Sequence, residues 1–234
     1  MTKTTRVLGV DACRAGWVGV VWDGDSSAAI AAQDIGSLVA AAELGGRVSV
    51  VAIDIPIGLP DTGRRQADVL AKLEIGRLRS SVFMTPVRPA LEADDHPSAV
   101  VLNRELAGEG VSIQAFGLRS KVFEVERFVR GPACEDRTVL EVHPEVCFAR
   151  MNGAPLTDRK KTWAGAEARR ALLAEHGLAL AGAGGLSGVD VGVDDVLDAA
   201  ATTWTARRHT RGQSEALPAT PEIFSDGWPA AIWV

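Results

Sequence analysis

The sequence predicts an α/β fold: a mixed five-stranded sheet with helices on both faces and a mainly helical insertion. Three observations lead there. Three short apolar runs follow one another at the start, joined by tight glycine- or aspartate-containing turns, the pattern of an antiparallel meander. A fourth run, "VSVVAIDIP", is apolar on both faces, as a central strand covered by helices on each side must be. A fifth, "RTVLEVHPE", arrives only after a long stretch of helical patterns, so a crossover connects it to the fourth.

Taken in order, the meander strands are Arg6 to Asp11, Gly16 to Trp22 and Ala28 to Asp34. "IGSLVAAAELGG" is a helix closed by Gly45 and Gly46, and Pro56 and Pro60 end the central strand after it. From Asp61 to about Arg137 helical patterns occur at "RRQADVLAKLEIG", "HPSAVVLNRELAGEG" and "SIQAFGLRSKVFEVERFVRG". The link "RLRSSVFMTPVRPAL" carries two prolines and cannot be one regular element. After the fifth strand come a short helix near "EVCFARMNG" and an amphipathic helix, "KKTWAGAEARRALLAEHG", with a glycine stop. A glycine-rich loop, "LALAGAGGLSGVDVG", leads to a last helix, "VDDVLDAAATTWTARRH", with Asp194 as its N-cap. The tail "DGWPAAIWV" has room for one more short strand. The expectation is a single domain over residues 1–234, with a core of 1–60 and 138–234 and the insertion at about 61–137. A meander feeding a βαβ crossover is the layout of ribonuclease H-like domains.

Composition narrows the classes. Hydrophobic residues make up 47% of the 234, enough for a sizeable core. No apolar stretch reaches the roughly 18 residues of a membrane span, and "MTKTTR" enters the first strand without the h-region of a signal peptide. A cytoplasmic location is the expectation. Cys13, Cys134 and Cys147 are odd in number and far apart, which fits neither a disulfide framework nor a Cys-x-x-Cys metal site. They are expected as small buried hydrophobes. A net charge of −5 argues against coating nucleic acid by bulk electrostatics. Basic residues nevertheless cluster around Arg64 to Arg88, at Arg159 to Lys161, and at Arg207 to Arg211, positions that solvated helix faces also explain.

The chemistry rests on carboxylates. Asp11 sits at the edge of the apolar run "VLGVDAC", and Asp54 interrupts another, "VVAIDIPIG". Burying either is costly unless a cation or several donors satisfy it. Asp195 and Asp198 lie three apart near the start of the last helix and share a side of it. In a sheet of this kind strands one and four are neighbours, and the last helix can cross their ends. Asp11, Asp54, Asp195 and Asp198 then converge as hard oxygen ligands suited to Mg²⁺ or Mn²⁺. A pair of such ions roughly 3.5–4 Å apart activates water and stabilises the leaving oxygen in phosphodiester cleavage. Each aspartate alone has an ordinary explanation: a turn, an arginine partner, or complementation of a helix dipole.

Glu141 and His143 share one face of the fifth strand. His143 is a candidate general acid or base, and Glu141 a candidate extra ligand that makes up for the short Asp54. Arg79, Ser81, Arg88, Lys121, Lys160 and Lys161 are candidate phosphate contacts. Trp17, Trp163 and Trp204 are expected in the core.

Five stretches, "GVDACRAGWV", "AIDIPIGLP", "RSSVFMTPVR", "LEVHPEVCF" and "DDVLDAAATTWTARR", resemble the domain of unknown function 429 proteins, predicted to be ribonuclease H-like nucleases. That family often has glycine where Ala12 and Ala15 stand here. A fainter likeness is to RuvC-type resolvases, whose last helix carries two aspartates spaced as Asp195 and Asp198 are, and whose central strand has a glutamate where Asp54 stands. "IPIGLP" is similar to the strand end of YqgF-type predicted resolvases. The resemblance implies a metal-dependent nuclease acting on DNA or RNA, with catalytic Asp11, Asp54 and Asp198, and no membrane partner. Two alternatives stand beside it. One is a phosphotransferase or small-molecule phosphohydrolase of the actin-like and sugar-kinase superfold; the other is a non-catalytic binding protein that keeps the fold.

Overall fold

The computed structural model describes residues 5–182 and 184–234. The leader-free reading of "MTKTTR" falls mainly on residues 1–4, outside the described residues, as does residue 183 of the glycine-rich loop. The meander forms as expected: β1 (Arg6–Cys13), β2 (Gly16–Trp22) and β3 (Ser27–Ala32), paired antiparallel. Helix α1 (Ile35–Ala42) starts at Asp34, whose carboxylate accepts the Ser37 N–H at 2.8 Å. A short 3-10 turn, Glu43–Gly45, and Gly46 at φ +130° then redirect the chain into β4 (Val48–Ile53).

Residues 61–137 are helical, as predicted: α2 (Gln66–Glu74), a 3-10 turn (Gly76–Ser81), α3 (Arg88–Leu91), α4 (His96–Ala107), α5 (Ile113–Gly117) and α6 (Arg119–Arg130). The last two were expected as one run; the chain breaks after Gly117, where Leu118 closes α5. Strand β5 (Thr138–Val142), α7 (Pro144–Asn152), α8 (Trp163–Glu175) and α9 (Val193–Thr210) follow. The cap of α9 is Gly192 rather than Asp194, which lies inside the first turn.

The sheet has seven strands where five were expected, in the order β3-β2-β1-β4-β5-β7-β6, with β6 (Ala216–Ile223) and β7 (Pro229–Trp233) added after α9. Strand β7 is the tail strand the sequence leaves room for. Strand β6, "ALPATPEI", was missed because two prolines and no alternation hide it; as an edge strand it tolerates both. Strands β1, β4, β5 and β7 run parallel.

Each face of the sheet has its own core. On one face Val7, Val18, Val50 and Ala52 pack with α2, α7, α8 and α9; on the other Leu8, Val10, Val51 and Ile53 pack with α1 and α6. Ala67 and Ala71 of α2, with Ile75 just after it, belong to the first of these, so the start of the expected insertion is built into the sheet's covering layer. Helices α3 to α5 close over a smaller cluster around Val87, Ala99 and Phe116. Trp17 and Trp204 are core residues as expected, but Trp163 is 81% exposed at the first position of α8, where it has no layer to pack against. Cys147 is buried, while Cys13 and Cys134 are only partly so; all three are free. Among the described residues no helix is long and apolar enough to cross a membrane.

One contact decides where the site forms. Helix α9 lies directly on the β1 backbone at Gly9, where a Cβ would stand 2.2 Å from the Thr203 nitrogen and 2.3 Å from the Ala199 oxygen. Only a glycine facing the small side chains of "AAATT" permits that approach. The Thr203 hydroxyl reaches the Val20 carbonyl at 2.8 Å and fixes the helix against β2.

Candidate metal centre

Asp11 lies near the C-terminal end of β1 and accepts the Ala12 N–H at 2.8 Å. Asp54 follows directly on β4, and its own N–H donates to the Val10 carbonyl at 3.0 Å, so the β1–β4 pairing carries both aspartates to the same edge. Asp198 is in the second turn of α9, which the Gly9 contact presses onto β1. The three each offer a carboxylate oxygen, and these oxygens lie within 4.8 Å of one another.

Asp11 and Asp198 are buried, and Asp54 keeps some surface open to an adjoining cavity. Burial is the main reason their carboxyls hold protons more tightly than usual; the charges of Asp54 and Asp198 add to it at Asp11, that of Glu145 at Asp54, and those of Asp54 and Glu145 at Asp198. Asp54 and Asp198 are each pushed up to about 7, and Asp11 well above its ordinary range. The Lys160 ammonium, ion-paired with Asp198 Oδ2, opposes the shift at all three. Asp198 Oδ1 is buried without a hydrogen-bond partner. A set of hard oxygen donors with too few protons or cations, and one orphaned buried oxygen, fits a divalent ion such as Mg²⁺ or Mn²⁺. Asp195, the fourth expected ligand, is not part of the trio. Its carboxylate accepts the Gly192 N–H at 3.2 Å and lines the same cavity.

That cavity, of about 200 Å³, is lined among others by Asp11, Asp54, Thr85, Glu141, His143 and Lys160. A larger cavity of about 330 Å³ between α8 and the start of α9 is walled by Leu173, Leu178, Val196 and Leu197 and has Arg170 as its one charged wall. It lacks converging polar groups, so the smaller cavity is the candidate site.

Glu141 does not make up for Asp54. One of its oxygens accepts from Arg65 Nη2 at 2.6 Å and the other from the Ile57 N–H at 2.7 Å. Arg65 is fully buried and also lies 3.7 Å from Asp68, whose carboxylate takes the Thr85 N–H at 2.7 Å. Burial still leaves the Glu141 carboxyl raised to about 7. His143 is in the cavity wall as expected; burial lowers its pKa, so its imidazole is neutral at physiological pH, and Nδ1 is shut off from solvent with no partner.

The basic candidates separate. Lys160 and Ser81 line the cavity, although the Ser81 hydroxyl donates to the Leu78 carbonyl at 2.8 Å. Arg79 is exposed on the same 3-10 turn. Lys161 is exposed and reaches Asp194 at 3.8 Å. Arg88 is not a free phosphate contact: it joins Glu92, Glu126 and Asp226 at 3.3, 2.8 and 3.3 Å, tying α3 and α6 to the β6–β7 connection. Lys121 is likewise taken, lying over the Trp17 ring at 4.4 Å and pairing with Glu124 at 3.4 Å.

Two buried partnerships were not read from the sequence. Arg65 was counted only as part of a basic stretch. Arg169 holds Glu145 through two bonds of 2.7 and 2.8 Å, and both residues are buried. The one available signal was that Glu145 and Arg169 each interrupt an otherwise apolar helix face.

The fold and site thus define an α/β protein with a buried acidic trio able to hold a metal ion. Over residues 9–223 the chain matches the model of a family described as a protein of unknown function, DUF429, and it belongs to that family. No curated protein and no solved structure matches it.

Proposed function

We propose that the protein is a ribonuclease H-like, metal-dependent nuclease that hydrolyses phosphodiester bonds in DNA or RNA in the cytoplasm. One observation carries this reading: three carboxylates from β1, the end of β4 and α9 meet within 4.8 Å. The antiparallel meander β3-β2-β1 followed by parallel β4 and β5 supports the ribonuclease H-like assignment. A bound Mg²⁺ or Mn²⁺ would supply Lewis acidity for phosphodiester hydrolysis. Asp11, Asp54 and Asp198 hold the ion. The neutral His143 imidazole, whose ring lines the cavity, is the general base of this reading. Ser81, exposed in the cavity wall, is the candidate substrate contact.

Incubation with Mn²⁺ and a panel of single-stranded, duplex and branched DNA and RNA tests the reading. Cleavage is expected, with a loss of at least a hundredfold in Asp11→Asn and Asp54→Asn. Failure to cut any substrate in the panel sinks it. The modest cavity, about 200 Å³, favours a second reading as a phosphohydrolase or phosphotransferase of small phosphate esters. In that case a free nucleotide with Mg²⁺ raises the melting temperature while nucleic acid does not.

A further inference from the structure

We infer that the centre is built for one divalent ion plus the Lys160 ammonium, which stands where a second ion would otherwise bind. The inference rests on the metal reading above and specifies its stoichiometry. It starts from the ligands that remain free. Glu141 is tied to Arg65 and the Ile57 N–H and Glu145 to Arg169, and Asp195, bonded to the Gly192 N–H, lies outside the group whose oxygens come within 4.8 Å of one another. Asp11, Asp54 and Asp198 are left, and Asp198 already gives Oδ2 to Lys160. Only its Oδ1, buried and unpartnered, is open to a metal. Two ions roughly 3.5–4 Å apart each need ligands of their own, and the free set is too small to supply them.

Charge leads to the same count. One divalent ion and one ammonium balance three carboxylates. With Lys160 in place a second ion would leave the buried pocket of the substrate-free protein two charges positive, against one with the ammonium gone, at a correspondingly larger desolvation cost.

Lys160 is also held in place by construction. Its loop precedes α8, where the Arg159 carbonyl accepts both the N–H and the hydroxyl of Thr162, at 3.0 and 2.8 Å. Gly165 lies so close that a Cβ would sit 2.0 Å from the Arg159 oxygen. Arg169 Nη1 donates to the Asp158 and Gly165 carbonyls at 3.1 and 2.9 Å while its other nitrogen grips Glu145. The backbone under Lys160 is therefore anchored to a buried ion pair, and its ammonium is directed at the carboxylates as a tethered cation. Lys161, next in sequence, is 80% exposed and reaches Asp194 instead.

Counting Mn²⁺ ions on the substrate-free full chain, by calorimetric titration and electron paramagnetic resonance, tests this. One ion is expected in the wild type, with the spectrum of an isolated Mn²⁺. In Lys160→Met a second ion is expected, with the splitting of a coupled pair. Two ions in the wild type overturn the lysine assignment and leave the metal reading intact. A Lys160→Met protein that still binds one ion at wild-type affinity overturns it too. No ion in either protein overturns the metal reading and this inference together. The wild-type count stands even if the variant folds poorly.

Discussion

Glu141 and Glu145 each face a fully buried arginine, whereas Asp11, Asp54 and Asp198, a short distance away, share a single lysine. Both regions bury acids near the same cavity. In the first, guanidinium nitrogens meet the carboxylates at 2.6 to 2.8 Å and others donate to backbone carbonyls, although Nε of both Arg65 and Arg169 is buried without an acceptor. The second is left short of positive charge, with an oxygen that has no donor. A buried acid matched by its own arginine holds segments together; three buried acids sharing one lysine are prepared for a further cation. That difference, more than the number of acids, separates framework from site.

Removing an arginine should produce the largest effect. Arg169→Leu leaves Glu145 buried and uncompensated and frees the loop beneath Lys160, so a loss of about 3–5 kcal/mol is expected in urea denaturation. A loss of under about 1 kcal/mol, the value of an exposed pair, would erase the contrast between the two regions. The close approach of α9 comes next. Gly9→Ala puts a methyl 2.2 Å from the Thr203 nitrogen, so the helix must shift. The expected cost is about 1–3 kcal/mol together with weaker Mn²⁺ binding. Gly110→Ala, whose Cβ would meet nothing closer than 3.6 Å, should change neither.

The mildest test is pH. Asp54 and Asp198 have folded pKa values raised to about 7, above the roughly 4 of an unfolded aspartate. The folded state therefore binds more protons between these values, and the metal-free protein should lose stability as pH rises from about 4 to about 7. Urea midpoints across that range should fall in the wild type and flatten in Asp54→Asn, and Mn²⁺ should restore more at pH 8 than at pH 5. A flat wild-type profile would show that Lys160 alone satisfies the cluster.

Much of this was legible in the sequence and some was not, for reasons that can be assigned to residues. The apolar alternation of β1, β2 and β4 is local, and an aspartate ending such a run stands out against it, so Asp11 and Asp54 were readable. The spacing of Asp195 and Asp198 placed both on one side of α9, but could not say that Asp198 joins the trio while Asp195 caps the helix start. Strand β6 was hidden by its prolines, because a strand that takes its partner from one side only need not show the usual pattern. Arg88 looked like a free cation because Glu126 and Asp226 lie on elements whose placement is not encoded locally, whereas Glu124, the partner of Lys121, stands three residues on in the same helix and was there to be read.

By itself, then, the sequence determined the elements, their alternating faces and the acids that burial would make expensive, since these follow from backbone periodicity and the cost of desolvating charge. Only the tertiary structure decided which acids meet an arginine, which meet Lys160, and how near α9 comes to β1. Those outcomes depend on distances between segments far apart in the chain, set by a glycine with no side chain and by pairings that no short stretch contains.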